Sequence, residues 1–307
     1  MFNPNPIVVE AFAAHCTNAY EAAFAGASGD IQTQPSEAQL TALREAVATA
    51  LGLLARCDCP YHNAEHTIMV TDAGLAILNG QLALEEPMSA EDWLHAVVAM
   101  LFHDVGYLRD LLPEDRPDSC LVDHEGGRVT PPAGATDAWM MRYHVTRGDL
   151  FVRHHYADHP LIDVDRVAAY IEMTRFPVPD RLPYQQLDTT GALVRAADLI
   201  GQMGDPNYVA KLSSLFVEFK ENGEADRLGF ATVEELRADS QAFFAEQISP
   251  YLPQALKLLR ATEEGRAWVV SLYQNIERRA QEGDSAAQPE AAQPQASPAD
   301  RARAGNG

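Results

Sequence analysis

The 307-residue sequence predicts an all-α protein on three observations. Apolar residues recur at helical spacing along most of the chain. No segment alternates apolar and polar residues as a half-buried strand does. Capping serines and prolines punctuate the apolar periods. Ser36 is placed as an N-cap, with Leu40, Leu43, Val47, Ala50, Leu51 and Leu54 following at helical intervals. Pro60 ends that segment and primes a helix from about His62 to Leu78. Ser89-Ala90-Glu91-Asp92 reads as a capping box before the apolar run Trp93 to Phe102. Over residues 109–134 Pro, Gly and charged residues displace the pattern, which predicts a long loop of the kind that forms lids or binding loops. Helices are expected again over 137–156, 163–174, 189–203, 207–220, 233–247 and 252–280, with Pro177, Pro179 and Pro183 breaking the connection before Asp188. From 281 onward the chain is rich in Gln, Ala, Pro, Glu and Ser and reads as a disordered tail. With no internal repeat, the expected layout is one domain: an N-terminal helical extension (1–35), a core (36–220), C-terminal helices packed on it (221–280) and the tail (281–307).

Bulk properties narrow the function. A hydrophobic content of 47% supports a sizeable core. The 23 basic against 44 acidic residues give a net charge of −21, which repels nucleic-acid backbones and argues against a polynucleotide partner. A small phosphorylated ligand stays open, since a metal reverses the local potential. No apolar run approaches the ~20 residues of a membrane span, and residues 1–10 lack the features of a signal peptide. Cys16, Cys57, Cys59 and Cys120 are too scattered for a disulfide framework, so a reducing cytoplasm is the expected compartment.

Three segments carry ligand chemistry. In Tyr61-His62-Asn63-Ala64-Glu65-His66 the histidines are four apart and share one face of a helix. Both could bind metal, or one could bind while the other faces substrate. Asn63 stands where a zinc protease needs its glutamate, which sets that class aside. In Leu101-Phe102-His103-Asp104-Val105-Gly106-Tyr107 an imidazole and a carboxylate are adjacent, so they converge only at a helix end, and Gly106 is placed to form one. The alternative is a buried histidine beside a capping aspartate. Asp198, within Leu193-Val194-Arg195-Ala196-Ala197-Asp198-Leu199-Ile200, is a carboxylate in an apolar helix and needs a partner, either a metal or Arg195. Cys57-Asp58-Cys59 lacks tetrahedral zinc spacing and reads as a turn.

These segments, in this order, resemble the HD-domain superfamily of metal-dependent phosphohydrolases over residues 56–204, nearest to its cyclic-nucleotide phosphodiesterase branch. The resemblance implies an HD-domain (phosphodiesterase-like) helical bundle around a metal centre. It implies His66, His103, Asp104 and Asp198 as metal ligands and His62 as the general acid toward the leaving oxygen. Two divalent ions are implied, Mg²⁺ or Mn²⁺ with Zn²⁺ or iron permitted, and a hydroxide bridging them would attack phosphorus. The implied substrate is a small phosphoester, cyclic nucleotides included. Gly106-Tyr107 departs from that branch, which carries an acid and a second histidine there. Gln202 lies nearest to a purine-holding glutamine, with Gln241 and Gln247 as alternatives.

Other substrate-binding candidates are Asn63, His144 with Arg147 three residues on, and Thr174 with Arg175, while Glu172 could accept from a ligand histidine. His154-His155 reads as a surface pair rather than as extra metal ligands. The competing functions are an HD-fold di-iron oxygenase and a non-catalytic regulatory module of the same fold.

Overall fold

A computed structural model describes residues 6–25 and 34–287. It is built from thirteen α-helices among the described residues: α1 (Pro6–Ala23), α2 (Glu37–Leu54), α3 (Ala64–Ala83), α4 (Ala90–Phe102), α5 (His144–His155), α6 (Val164–Glu172) and α7 (Thr190–Met203), then α8 (Tyr208–Asn222), α9 (Glu224–Leu228), α10 (Val233–Ala238), α11 (Ser240–Phe243), α12 (Pro253–Leu259) and α13 (Glu263–Ala287). Helical turns of 3-10 type cover Val105–Tyr107, Asp137–Arg142 and Ser249–Tyr251. The all-α expectation therefore holds, with one two-residue antiparallel pair, Cys120–Leu121 against Arg128–Val129, inside the long loop. Among the described residues no helix is long and apolar enough to cross a membrane.

Local chemistry accounts for the helix starts. Ser36 caps α2 reciprocally with Gln39, and the apolar residues expected on this helix, Leu40 through Leu54, are all buried. Ser89 accepts from the Asp92 amide at α4, and Thr189 from the Ala192 amide at α7. Buried on every face, α4 forms the centre of the molecule, with α2, α3, α6 and α7 packed around it. The N-terminal helix α1 joins this core directly, its Tyr20 ring stacked on Trp93 at 4.4 Å.

The most extensive pairing is α3 against α7, and a glycine makes it close. A Cβ on Gly201 would stand 2.5 Å from the Val70 Cα. This approach sets the turn of α7 bearing Asp198 beside the turn of α3 bearing His66. Gly201→Ala gains ~1 kcal/mol of helix propensity, yet parting two packed backbones costs ~1–3 kcal/mol. The expected result is a melting temperature lowered by a few degrees, read by calorimetry. An unchanged melting temperature would show that the two helices do not need this spacing.

Several boundaries differ from the sequence expectation. α3 begins at Ala64, so His62 lies ahead of the helix rather than on its face. The expected helix 137–156 breaks at Tyr143, the expected helix 233–247 divides into α10, α11 and a further helical turn, and the expected helix 252–280 divides into α12 and α13, Pro253 opening α12 at its first turn. α13 runs through Ala287, past the expected tail start at 281, although Gly283, Asp284 and Ser285 are weak helix formers; the rest of that tail, 288–307, lies outside the described residues.

The loop 109–134, of the kind that forms lids or binding loops, is tied down on the protein. Asp115 accepts from the Leu111, Leu112 and Leu121 amides and pairs with the fully buried Arg147 at 2.9 Å. Arg147 also donates to the carbonyls of Gly106 (2.9 Å), Leu108 and Leu121. Every direction its guanidinium can donate is used by the protein, so Arg147 is a clamp and not a substrate ligand. Arg147→Met is expected to cost ~3–5 kcal/mol by stranding the Asp115 carboxylate, seen as a large drop in melting temperature. A drop within experimental error would refute the clamp.

Candidate metal centre

Four side chains from three regions meet in the core: His66 from α3, His103 and Asp104 from the end of α4, and Asp198 from α7. His66, His103 and Asp104 are each at most 3% exposed. His66 Nε2 lies 3.3 Å from Asp104 Oδ2 and 3.4 Å from Asp198 Oδ1, and His103 Nε2 lies 3.1 and 3.6 Å from the same two oxygens. Donor atoms about 2.1 Å from one ion sit about 3.0 Å apart at right angles and about 3.4 Å apart at tetrahedral angles. The spacing therefore matches a shared ion.

The hydrogen-bond inventory agrees. His66 Nε2, His103 Nε2 and Asp104 Oδ2 are buried without a hydrogen-bond partner, a costly state unless something else satisfies them. His103 Nδ1 donates to the Met100 carbonyl at 2.7 Å, which leaves the Nε2 lone pair facing the cluster. Burial alone lowers the His103 pKa, but Asp104 and Asp198 outweigh it and raise it well above the usual range. Burial likewise raises Asp104 and Asp198, yet the neighbouring imidazoles hold both well below ordinary carboxylates. The two acids demand a cation, either protons on the imidazoles or a divalent metal. Asp198 does not use Arg195, which donates to the Tyr184 carbonyl and lies over the Tyr251 ring.

Adjacent residues 103 and 104 converge because α4 ends there. His103 is its C-cap, and a 3-10 turn follows. Gly106 helps, but not as the left-handed cap expected from its position. A Cβ there would stand 1.8 Å from the His144 carbonyl oxygen, so glycine lets this turn press against the start of α5.

The other oxygen of Asp104, Oδ1, faces His144 Nε2 at 3.7 Å. His144 Nδ1 donates to the Met141 carbonyl at 2.6 Å, and burial pushes its pKa down to about 4. A neutral Nε2 lone pair thus points at the free side of Asp104. His144 also lines the cavity that opens from Asp104, where a substrate contact was expected of it.

His62 lies beside the cluster, with a ring nitrogen within 4.8 Å of ligand atoms of His66 and Asp104. Its Nδ1 donates in a short hydrogen bond to Glu218 Oε2, while Glu218 Oε1 accepts from the Tyr61 and His62 amides. Burial lowers the His62 pKa, but Glu218, with Asp104 and Asp198 behind it, raises it to about 9. Tyr107 stacks between His62 and His144 with ring centroids 4.9 and 4.4 Å away and fixes both planes. Sequence reading missed both Glu218 and Tyr107. The signal for Glu218 was an acid inside the apolar run Leu215-Phe216-Val217-Glu218-Phe219.

The remaining candidates divide. Asn63 caps α3, accepting from the Glu65 amide at 2.9 Å, so it holds the helix that carries His66 rather than the substrate. Thr174, Arg175 and Gln202 line a cavity opening from Asp104 and Asp198. Glu172 binds Arg175 and the Tyr184 hydroxyl, not a ligand histidine. His154 and His155 are exposed at the end of α5, as expected of a surface pair. The long loop contributes nothing to this cavity; α8–α11 and the turn after them wall it.

Fold and site together define an all-helical protein whose buried histidine–aspartate centre fits a divalent metal. A family model matches residues 2–282, and the chain belongs to the Npun_R2479-like family. No curated protein matches it.

Proposed function

We propose that the protein is a metal-dependent phosphohydrolase of the HD superfamily type, acting on a small phosphorylated substrate. The observation that carries this reading is the convergence of unpartnered ligand atoms of His66, His103 and Asp104 with Asp198, beside a histidine held by a buried carboxylate. His66, His103, Asp104 and Asp198 would hold the first ion, and Asp104 Oδ1 with His144 a second. Bound there, the metal would supply Lewis-acid activation of water and charge neutralisation at the phosphoryl oxygens.

The chain's own residues then handle the proton. Glu218 fixes His62 in the tautomer with Nδ1–H toward the carboxylate, which presents Nε2 to the cavity. With Asp104 and Asp198 neutralised by metal, Glu218 remains the charge that keeps His62 protonated. A cationic imidazole in that position delivers its proton to a departing alkoxide, a step worth roughly 10²–10⁴ in rate. Burial of the centre strengthens each of these interactions by excluding water.

The test is a panel of phosphomonoesters, phosphodiesters and cyclic nucleotides offered to protein loaded in turn with Mg²⁺, Mn²⁺, Zn²⁺ and Fe²⁺. Phosphate or alcohol release that disappears with chelation is expected. His144 gives the oxygen-dependent di-iron reading a specific argument, since it adds an imidazole at the second position. Oxygen uptake by the iron-loaded protein, with no ester cleaved under any metal, would favour that reading instead.

A further inference from the structure

The cavity beyond the metal centre has a volume of about 380 Å³, within the range of small-molecule sites. Its walls away from the ligands are apolar, with Met141, Leu199, Leu215, Phe219, Leu236 and Phe243 among them. We propose that the substrate is a phosphoester of an apolar alcohol, alkyl or aryl, whose organic group fills this chamber, and not a nucleotide. The proposal rests on the phosphohydrolase reading above and specifies its substrate.

Three of the polar wall groups, Thr174, Arg175 and Glu224, are engaged by the protein itself. The Thr174 hydroxyl donates to the Ile171 carbonyl at 2.8 Å. Arg175 binds Glu172 through two nitrogens at 2.7 Å each and reaches Thr146 at 3.2 Å. Glu224 is taken by Arg227. Gln202 and Arg142, the latter bonded to the Asn222 carbonyl at 3.5 Å, remain at the wall, and the pair offers one side-chain acceptor, Gln202 Oε1, to the donors of a base and two ribose hydroxyls. Buried polar atoms left unpaired weaken binding, whereas each methylene moved out of water strengthens it by roughly fourfold. The reaction needs no further reactant: water adds to phosphorus, the P–O bond to the alcohol breaks, and the alcohol leaves with the proton.

The experiment compares methyl, butyl and octyl monophosphates with a nucleoside 5′-monophosphate, likewise the ester of a primary or methyl alcohol, on metal-loaded protein. In parallel, binding of 1-octanol to metal-free protein is measured by calorimetry. The expected result is a kcat/KM rising more than a hundredfold from methyl to octyl, with the nucleoside ester below octyl, and measurable octanol binding. Phe243→Ala should lower the octyl-to-methyl ratio about tenfold. Phe176→Ala, a partner ring at 6.1 Å that is 39% exposed, offers the same test without disturbing the core. A flat chain-length series, or a preferred nucleoside ester, on active protein overturns this proposal alone. No cleavage of any ester, with octanol still bound, overturns the phosphohydrolase reading and the phosphate assignment with it.

Discussion

Asp104→Asn protein should purify free of divalent metal and cleave no phosphoester. Asp104 has the widest reach in the centre: Oδ2 lies 3.3 and 3.1 Å from the two ligand imidazoles, and Oδ1 faces His144. An amide keeps the shape but removes the charge, and only one of its two end atoms can accept. One carboxylate, Asp198, then remains to neutralise the ion, and the second position loses its only acidic donor. Elemental analysis gives the first readout. The second is thermal: metal at 100 times its Kd stabilises the native state by ~2.7 kcal/mol, so the wild-type melting temperature should climb with added metal while that of the variant stays flat. A variant that still took up metal and responded thermally would place the centre elsewhere.

The second large effect belongs to the pair of His62 and Glu218. His62→Ala should lower kcat by roughly 10²–10⁴ on esters with an alkyl leaving group, the size of a general-acid contribution. On a p-nitrophenyl ester, whose leaving oxygen needs no proton, the loss should be far smaller. Metal content should not change, because Glu218 takes Nδ1 and in the proposed role Nε2 serves the departing oxygen rather than the ion. Glu218→Gln should follow the same pattern more weakly: Gln still accepts from the Tyr61 and His62 amides but no longer holds the imidazolium. Equal losses on both leaving groups would mean that His62 acts on the metal or the substrate, not on the departing oxygen.

How much of this was readable in the chain depends on whether each feature was local. The caps at Ser36 and Ser89 were legible because side chain and amide are three residues apart. His103, Asp104 and Asp198 were legible because each disturbs an apolar run, where a charge needs an explanation, and His66 because it stands four residues from His62. Arg147 misled for a related reason. A buried arginine looks like an anion site until its carboxylate is known, and Asp115 lies 32 residues away in sequence. Glu218 was passed over because its partner, His62, is separated from it by 156 residues.

The amino-acid sequence by itself determined the helical class, the identity of the four side chains that cluster at the centre and the apolar faces that bring their helices together. Those follow from periodicity and from the cost of burying charge, which act within a few turns of chain. Tertiary structure decided the rest. It ended α4 so that His103 and Asp104 face one point, pressed Gly106 against α5 to bring His144 to Asp104, and set Glu218 behind His62. It also closed the chamber with α8–α11 rather than with the long loop. These are contacts between distant segments, set by how close two backbones can approach, and no local pattern encodes that distance.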